Sequence, residues 1–82
     1  MQTHTLKQAM SQKTIWKIQY INLCINEFSR KHRLTPQMAY NYLCAYNGLA
    51  FLDECYEAEH TDSLMNTLDT LKMICARNGG TL

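Results

Sequence analysis

The chain has 82 residues, a formal net charge of +1, 46% apolar residues and only 18% charged ones. A chain of this length buries only about two-thirds of its unfolded surface, so the expectation is one domain with a small core. The composition excludes a charged disordered segment. No apolar run approaches the roughly 20 residues of a membrane span. The opening MQTHTLKQAMSQK lacks the apolar stretch of a secretory signal, which makes the cytoplasm the expected location.

Residues 1–10 are polar and small without a sustained helical period, and are expected to form a flexible N-terminal arm ahead of a single helical domain over 11–82. From about Ser11 to His32, apolar residues recur at Ile15, Ile18, Ile21, Ile25 and Phe28, spacings of three and four that place them on one helical face. Trp16, Tyr20, Leu23 and Cys24 widen the stripe, so this longest helix is expected to be central and to touch several neighbours. Arg30, Lys31 and Arg33 end it, where positive side chains complement the negative end of the backbone dipole.

Thr35-Pro36 opens the second helix. A hydroxyl at the N-cap accepts from a free backbone N–H, and proline in the first turn has no N–H to lose. It is expected to run to about Tyr46, with Met38, Ala39, Tyr42, Leu43 and Tyr46 on a common face, and to stop at Asn47-Gly48. A third helix is expected over about Leu49 to Glu59, with Leu49, Leu52, Cys55 and Tyr56 inward and Asp53, Glu54 and Glu57 outward. A fourth begins at Asp62 or Ser63 and ends near Arg77 before Asn78-Gly79-Gly80, with Leu64, Leu68, Leu71 and Cys75 as its stripe and Met65 and Ile74 beside them. LCAYNG at 43–48 and ICARNG at 74–79 are alike at an offset of 31, which shared helix-ending chemistry explains without a duplication. The fold class that follows is all-α: a small four-helix bundle, longest helix first, with short connections.

Charge is distributed unevenly. Residues 1–33 hold six Lys and Arg against Glu27 alone, whereas the remainder holds Lys72 and Arg77 against six carboxylates, so the two parts carry +5 and −4. Front-to-back pairing is one expected consequence.

The motifs argue against chemistry. The cysteines at 24, 44, 55 and 75 form no C-x-x-C pair, and each falls within an expected helix, the pattern of buried thiols in a reducing compartment. Glu57-x-x-His60 has the spacing of half a di-iron site, but the second such pair and the inward carboxylates are missing, so no metal or other cofactor is expected. His60 reads instead as a cap on the third helix. No cysteine lies in a glycine-rich or basic setting that would activate it, and no phosphate-binding loop is present, because the glycines at 48, 79 and 80 read as helix stops. No catalytic residues are expected. The second and third helices superficially match a helix-turn-helix, yet Asp53, Glu54, Glu57 and Glu59 would face phosphates.

With these segments placed, residues 18–80 resemble a family of small bacterial domains of unknown function, the domain-of-unknown-function 3791 type. The resemblance is carried by the Cys24-Ile25 helix with its basic end, the Leu34-Thr35 helix start, Tyr46-x-Gly48-Leu49 followed by Phe51-Leu52, and then Tyr56 and His60-Thr61. It implies an all-helical intracellular domain without an established activity, sometimes encoded near ADP-ribosyltransferase-like proteins, one of which becomes a conceivable partner.

The functional expectation is a non-catalytic protein-interaction module that acts through a partner protein or by self-association. Tyr42, Tyr46, Tyr56 and His60 are its expected contact residues, drawn from a surplus of aromatic side chains over what a small core needs. The alternative is a nucleic-acid-binding domain using Arg30, Lys31 and Arg33.

Overall fold

The computed structural model describes residues 11–82; the N-terminal arm expected over residues 1–10 lies outside them. All regular structure among the described residues is helical: α1 (Gln12–Lys31), α2 (Pro36–Ala45), α3 (Gly48–Glu54), α4 (Tyr56–Glu59) and α5 (Leu64–Arg77). Local chemistry sets the starts of the three long helices. Ser11, Thr35 and Ser63 each accept the backbone N–H three residues on, at 3.1 Å, and Asp62 accepts from the Ser63 N–H and the Asn66 side chain. α1 ends in a left-handed residue, Arg33 at φ 56°, which lets the Leu34 N–H return to the Ser29 carbonyl at 2.8 Å.

One core joins the helices. α1 contributes Cys24, Ile25 and Phe28, α2 Ala39 and Leu43, α3 Leu52, and α5 Leu68, Leu71 and Cys75. α1 packs against α2, α3 and α5, and α5 closes the bundle against α3. Burial of a side chain such as Phe28, Leu43 or Leu71 contributes roughly 1.5–3 kcal/mol, so a core of this size holds the domain with little to spare.

The sequence-based expectations need three corrections. The third helix is not continuous over Leu49–Glu59: Cys55, at φ −107° and ψ 20°, leaves helical geometry and separates α3 from the single turn α4. The break lets Tyr56 turn inward. Gly48 is not a stop either. Asn47 carries the left-handed conformation at φ 68°, and Gly48 is the first residue of α3. Its missing side chain has a packing role, because a Cβ there would lie 2.7 Å from Leu43 Cδ2 and 3.2 Å from Cys75 Sγ. Lastly, the broad stripe of α1 divides. Ile21, Cys24, Ile25 and Phe28 face the bundle, whereas Trp16, Ile18 and Leu23 are 55%, 45% and 46% exposed. In the first half of α1 the bundle side is occupied by Lys13, Lys17 and Tyr20, with the Lys17 ammonium 5.9 Å from the Tyr56 ring centroid.

The two similar segments at offset 31 meet in space. Asn47 Nδ2 donates to Asn78 Oδ1 at 2.8 Å, and Asn78 Nδ2 caps the Ile74 carbonyl at 2.8 Å. Two helix ends dock side by side, which places Gly48 against Cys75.

Candidate interaction surface

The four residues expected to contact a partner fall into two clusters. Tyr42 and Tyr46 are half-buried and join Phe28 and His32 in an aromatic column, with centroid separations of 6.1 Å for Phe28–Tyr42, 4.9 Å for Tyr42–Tyr46 and 4.4 Å for Phe28–His32. The Tyr42 hydroxyl accepts the Leu82 N–H at 3.2 Å, tying the last residues to α2. Tyr56 and His60 belong to the second cluster, around Tyr20. Tyr20 and Phe28 are eight residues apart on α1, about 12 Å along its axis, so the clusters do not form one patch.

The second cluster is built for cohesion. Tyr56 is only 7% exposed and meets Tyr20 edge-on at 5.6 Å, and the exposed His60 ring lies flat on Tyr56 at 4.4 Å with Nδ1 2.7 Å from the Tyr56 carbonyl. Tyr20 donates to the Glu59 carbonyl at 3.1 Å, and the buried Thr67 hydroxyl reaches the Glu59 carboxylate at 3.1 Å. Buried hydroxyls need such partners. Burial pushes the Tyr20 hydroxyl up to about 12 and the Cys24 thiol upward, and neither residue lines the clefts at the two ends of α1. Glu57 and His60 point to different partners, since Glu57 pairs with Lys13. No group of three or more potential metal ligands gathers among the described residues.

The basic end of α1 is partly engaged. Lys31 Nζ bonds Asp69 Oδ1 at 2.6 Å and lowers that carboxyl's pKa, chiefly through the hydrogen bond, while Arg30 Nε lies 3.9 Å from Glu27. Arg30 and Arg33 rim an open groove of about 520 Å³ floored by Leu23, Leu34 and Pro36. At the other end of α1, Lys13–Glu57 and the 2.6 Å Lys17–Asp53 pair line a cleft of about 250 Å³. Three lysines of the positive part of the chain thus meet carboxylates of the negative part within one molecule.

What sequence reasoning missed is the outer face of α1. At 100° per residue, Trp16, Ile18, Gln19, Asn22, Leu23 and Asn26 point away from the bundle, and all six are exposed. None is charged. The signal was present in the sequence: residues 18–26 contain no ionisable cation or carboxylate on any side of the helix.

Together these features define a small all-α domain with charged clefts at the two ends of α1 and exposed apolar side chains between them. The chain belongs to the family described as Protein of unknown function (DUF3791), whose profile matches residues 19–78. No curated protein matches the chain, and no solved structure does. No helix among the described residues is long and apolar enough to cross a membrane.

Proposed function

We propose that this protein is a non-catalytic interaction module of the bacterial cytoplasm, and that the outer face of α1 is its docking surface. The observation that supports the reading is the exposure of Trp16, Ile18 and Leu23, each about half exposed, on the side of α1 turned from the bundle, where the charged residue Arg30 stands only at the far end. Tryptophan is prominent among residues that dominate binding energy. Tyr42 and Tyr46 are half-buried in the aromatic column, and Tyr56 serves the core. A reducing compartment suits four cysteines that are all free thiols, two of them buried.

The nucleic-acid reading draws less support. Of its three cations, Lys31 is held by Asp69 and Arg30 sits beside Glu27, whereas phosphate binding draws its affinity from cations able to displace counterions.

The test is a photo-crosslinking amino acid placed in living cells at Gln19 on the outer face or at Lys72 on α5. The docking reading predicts a discrete covalent adduct from position 19 and none from position 72. Absence of any adduct at position 19 refutes it.

A further inference from the structure

We infer that the groove between the end of α1 and the start of α2 is a binding site for a short acidic and apolar peptide segment of a partner protein, whose carboxylates Arg30 and Arg33 receive. The site goes beyond the outer-face reading, with which it shares only Leu23 and Asn26.

Charge gives the sign of the occupant. Lys13, Lys17 and Lys31 are each neutralised at close range by a carboxylate of the bundle. Arg33 has no ion pair among the described residues, and Arg30 Nε lies 3.9 Å from Glu27, beyond hydrogen-bond distance. Two guanidiniums with unused donors therefore share one rim, and a guanidinium fork matches a carboxylate with two parallel hydrogen bonds.

The backbone adds a second argument. Arg33 holds the left-handed conformation, φ 56°, at the helix end where glycine is the ordinary residue. Glycine would adopt it without the Cβ penalty that arginine carries. No hydrogen bond or ion pair of the Arg33 side chain to another described residue repays that strain, and strain of this kind collects where ligands are held. The conformation sets the Arg33 side chain on the same rim as Arg30.

The floor selects the class of anion. Leu23, Leu34 and Pro36 are apolar, and no aromatic ring lines the groove to stack a base. The half-buried Glu27 carboxylate repels closely spaced phosphates, which disfavours a polyanion while tolerating a ligand with one or two charges. A peptide with a carboxylate beside an apolar side chain matches both rim and floor. Leu23 and Arg30 are seven residues apart, about 10.5 Å along α1, the span of about three extended residues.

The experiment titrates the full chain, labelled for amide NMR, with the end-blocked peptide Gly-Leu-Asp-Asp-Leu-Gly and with its carboxamide control Gly-Leu-Asn-Asn-Leu-Gly. Saturable shifts are expected at Leu23, Arg30, Arg33 and Leu34 with the acidic peptide alone, weakening as salt rises. Arg30→Gln and Arg33→Gln should each raise the dissociation constant about fivefold, and Glu27→Gln should lower it. Arg33→Gly separates binding from folding: it should melt no lower than the parent, because glycine suits the left-handed position, yet lose affinity as Arg33→Gln does. Absence of saturable shifts, equal binding of the carboxamide control, or full affinity in Arg33→Gly would each overturn the site. Tighter binding of a ten-nucleotide oligothymidine at the same residues would assign the groove to nucleic acid, and a mass that doubles with concentration and reverts in Arg30→Gln would assign it to a second copy; either result overturns the peptide. The crosslink at position 19 tests the outer face independently of all these outcomes.

Discussion

Replacing Gly48 with alanine pits helix propensity against packing. Gly48 opens α3 with a backbone conformation that any residue adopts, since only Gly79 among the glycines has a positive φ. Considered locally, alanine is favoured there by up to about 1 kcal/mol, less in a first turn than in a helix interior. The new Cβ, however, would lie 2.7 Å from Leu43 Cδ2, 3.2 Å from Cys75 Sγ and 3.3 Å from Leu43 Cα. Leu43 and Cys75 are fully buried, so neither can swing into solvent. Adding a methyl group to a filled core costs about 1–3 kcal/mol, which outweighs the propensity gain and leaves Gly48→Ala destabilised by roughly 1–2 kcal/mol. In a domain of this size each kcal/mol lowers the melting temperature by about 4–8 °C. Urea titration and thermal melting followed by circular dichroism measure the loss. Leu43→Val shortens the obstructing branch, so Gly48→Ala should cost less in that background, a coupling of about 0.5 kcal/mol or more. A Gly48→Ala protein as stable as the parent, or additive behaviour in the double variant, would refute the close-approach argument.

Thr67→Val removes the hydroxyl that reaches Glu59 and should cost about 1 kcal/mol by urea titration; because Tyr20 shares the same helix end, adding Tyr20→Phe should cost less than the sum of the two. Lys31→Met breaks an exposed pair with Asp69 and should change stability by less than about 1 kcal/mol, with a difference that shrinks in high salt. His32 supplies a pH signature: burial first, then Lys72 and Lys31, holds its pKa below the ordinary 6.5, and its Nε2 is buried without a hydrogen-bond partner. The unfolded chain therefore binds the proton more readily, so this contribution to stability is complete above pH 6.5 and lost as pH falls below it toward the folded value. His32→Phe keeps a ring against Phe28 and should flatten the stability profile below pH 6.5; an unchanged profile would exclude His32 as its source.

The helix starts were legible in the sequence because capping is local: Ser11, Thr35-Pro36 and Ser63 each act on a backbone group three residues away. The break at Cys55 was not, because it depends on Tyr56 docking against Tyr20, 36 positions earlier, and a helical stripe looks the same with or without an interrupted turn. Gly48 was misread for a related reason. Asn-Gly announces a left-handed residue, but which of the two adopts it follows from Cys75 lying close by, a contact made by the far end of the chain. Periodicity likewise identified the apolar residues of α1 without revealing that the bundle covers only one side of the helix. Trp16 and Leu23 were assigned to an interior that a chain of this length is too small to provide.

The charge asymmetry and the bare face of α1 have one origin. Lys17 and Lys31 reach Asp53 and Asp69 at 2.6 Å, and Lys13 reaches Glu57, so three of the cations in the positive part of the chain are spent on the bundle side and flanks of α1. Exposed pairs of this kind contribute at most about 1 kcal/mol each, too little for stability to be their main consequence. The rotation of α1 is set by Cys24, Ile25 and Phe28 in the core, and the three pairs accompany it, with Ile18, Gln19, Asn22 and Leu23 turned outward. A small domain ordinarily places lysines on the side of a helix turned from the core, where they cost nothing and keep copies apart. Here Lys13, Lys17 and Lys31 lie on the flanks that meet the carboxylates of α3, α4 and α5, and Trp16, Ile18, Gln19, Asn22, Leu23 and Asn26 lie outside.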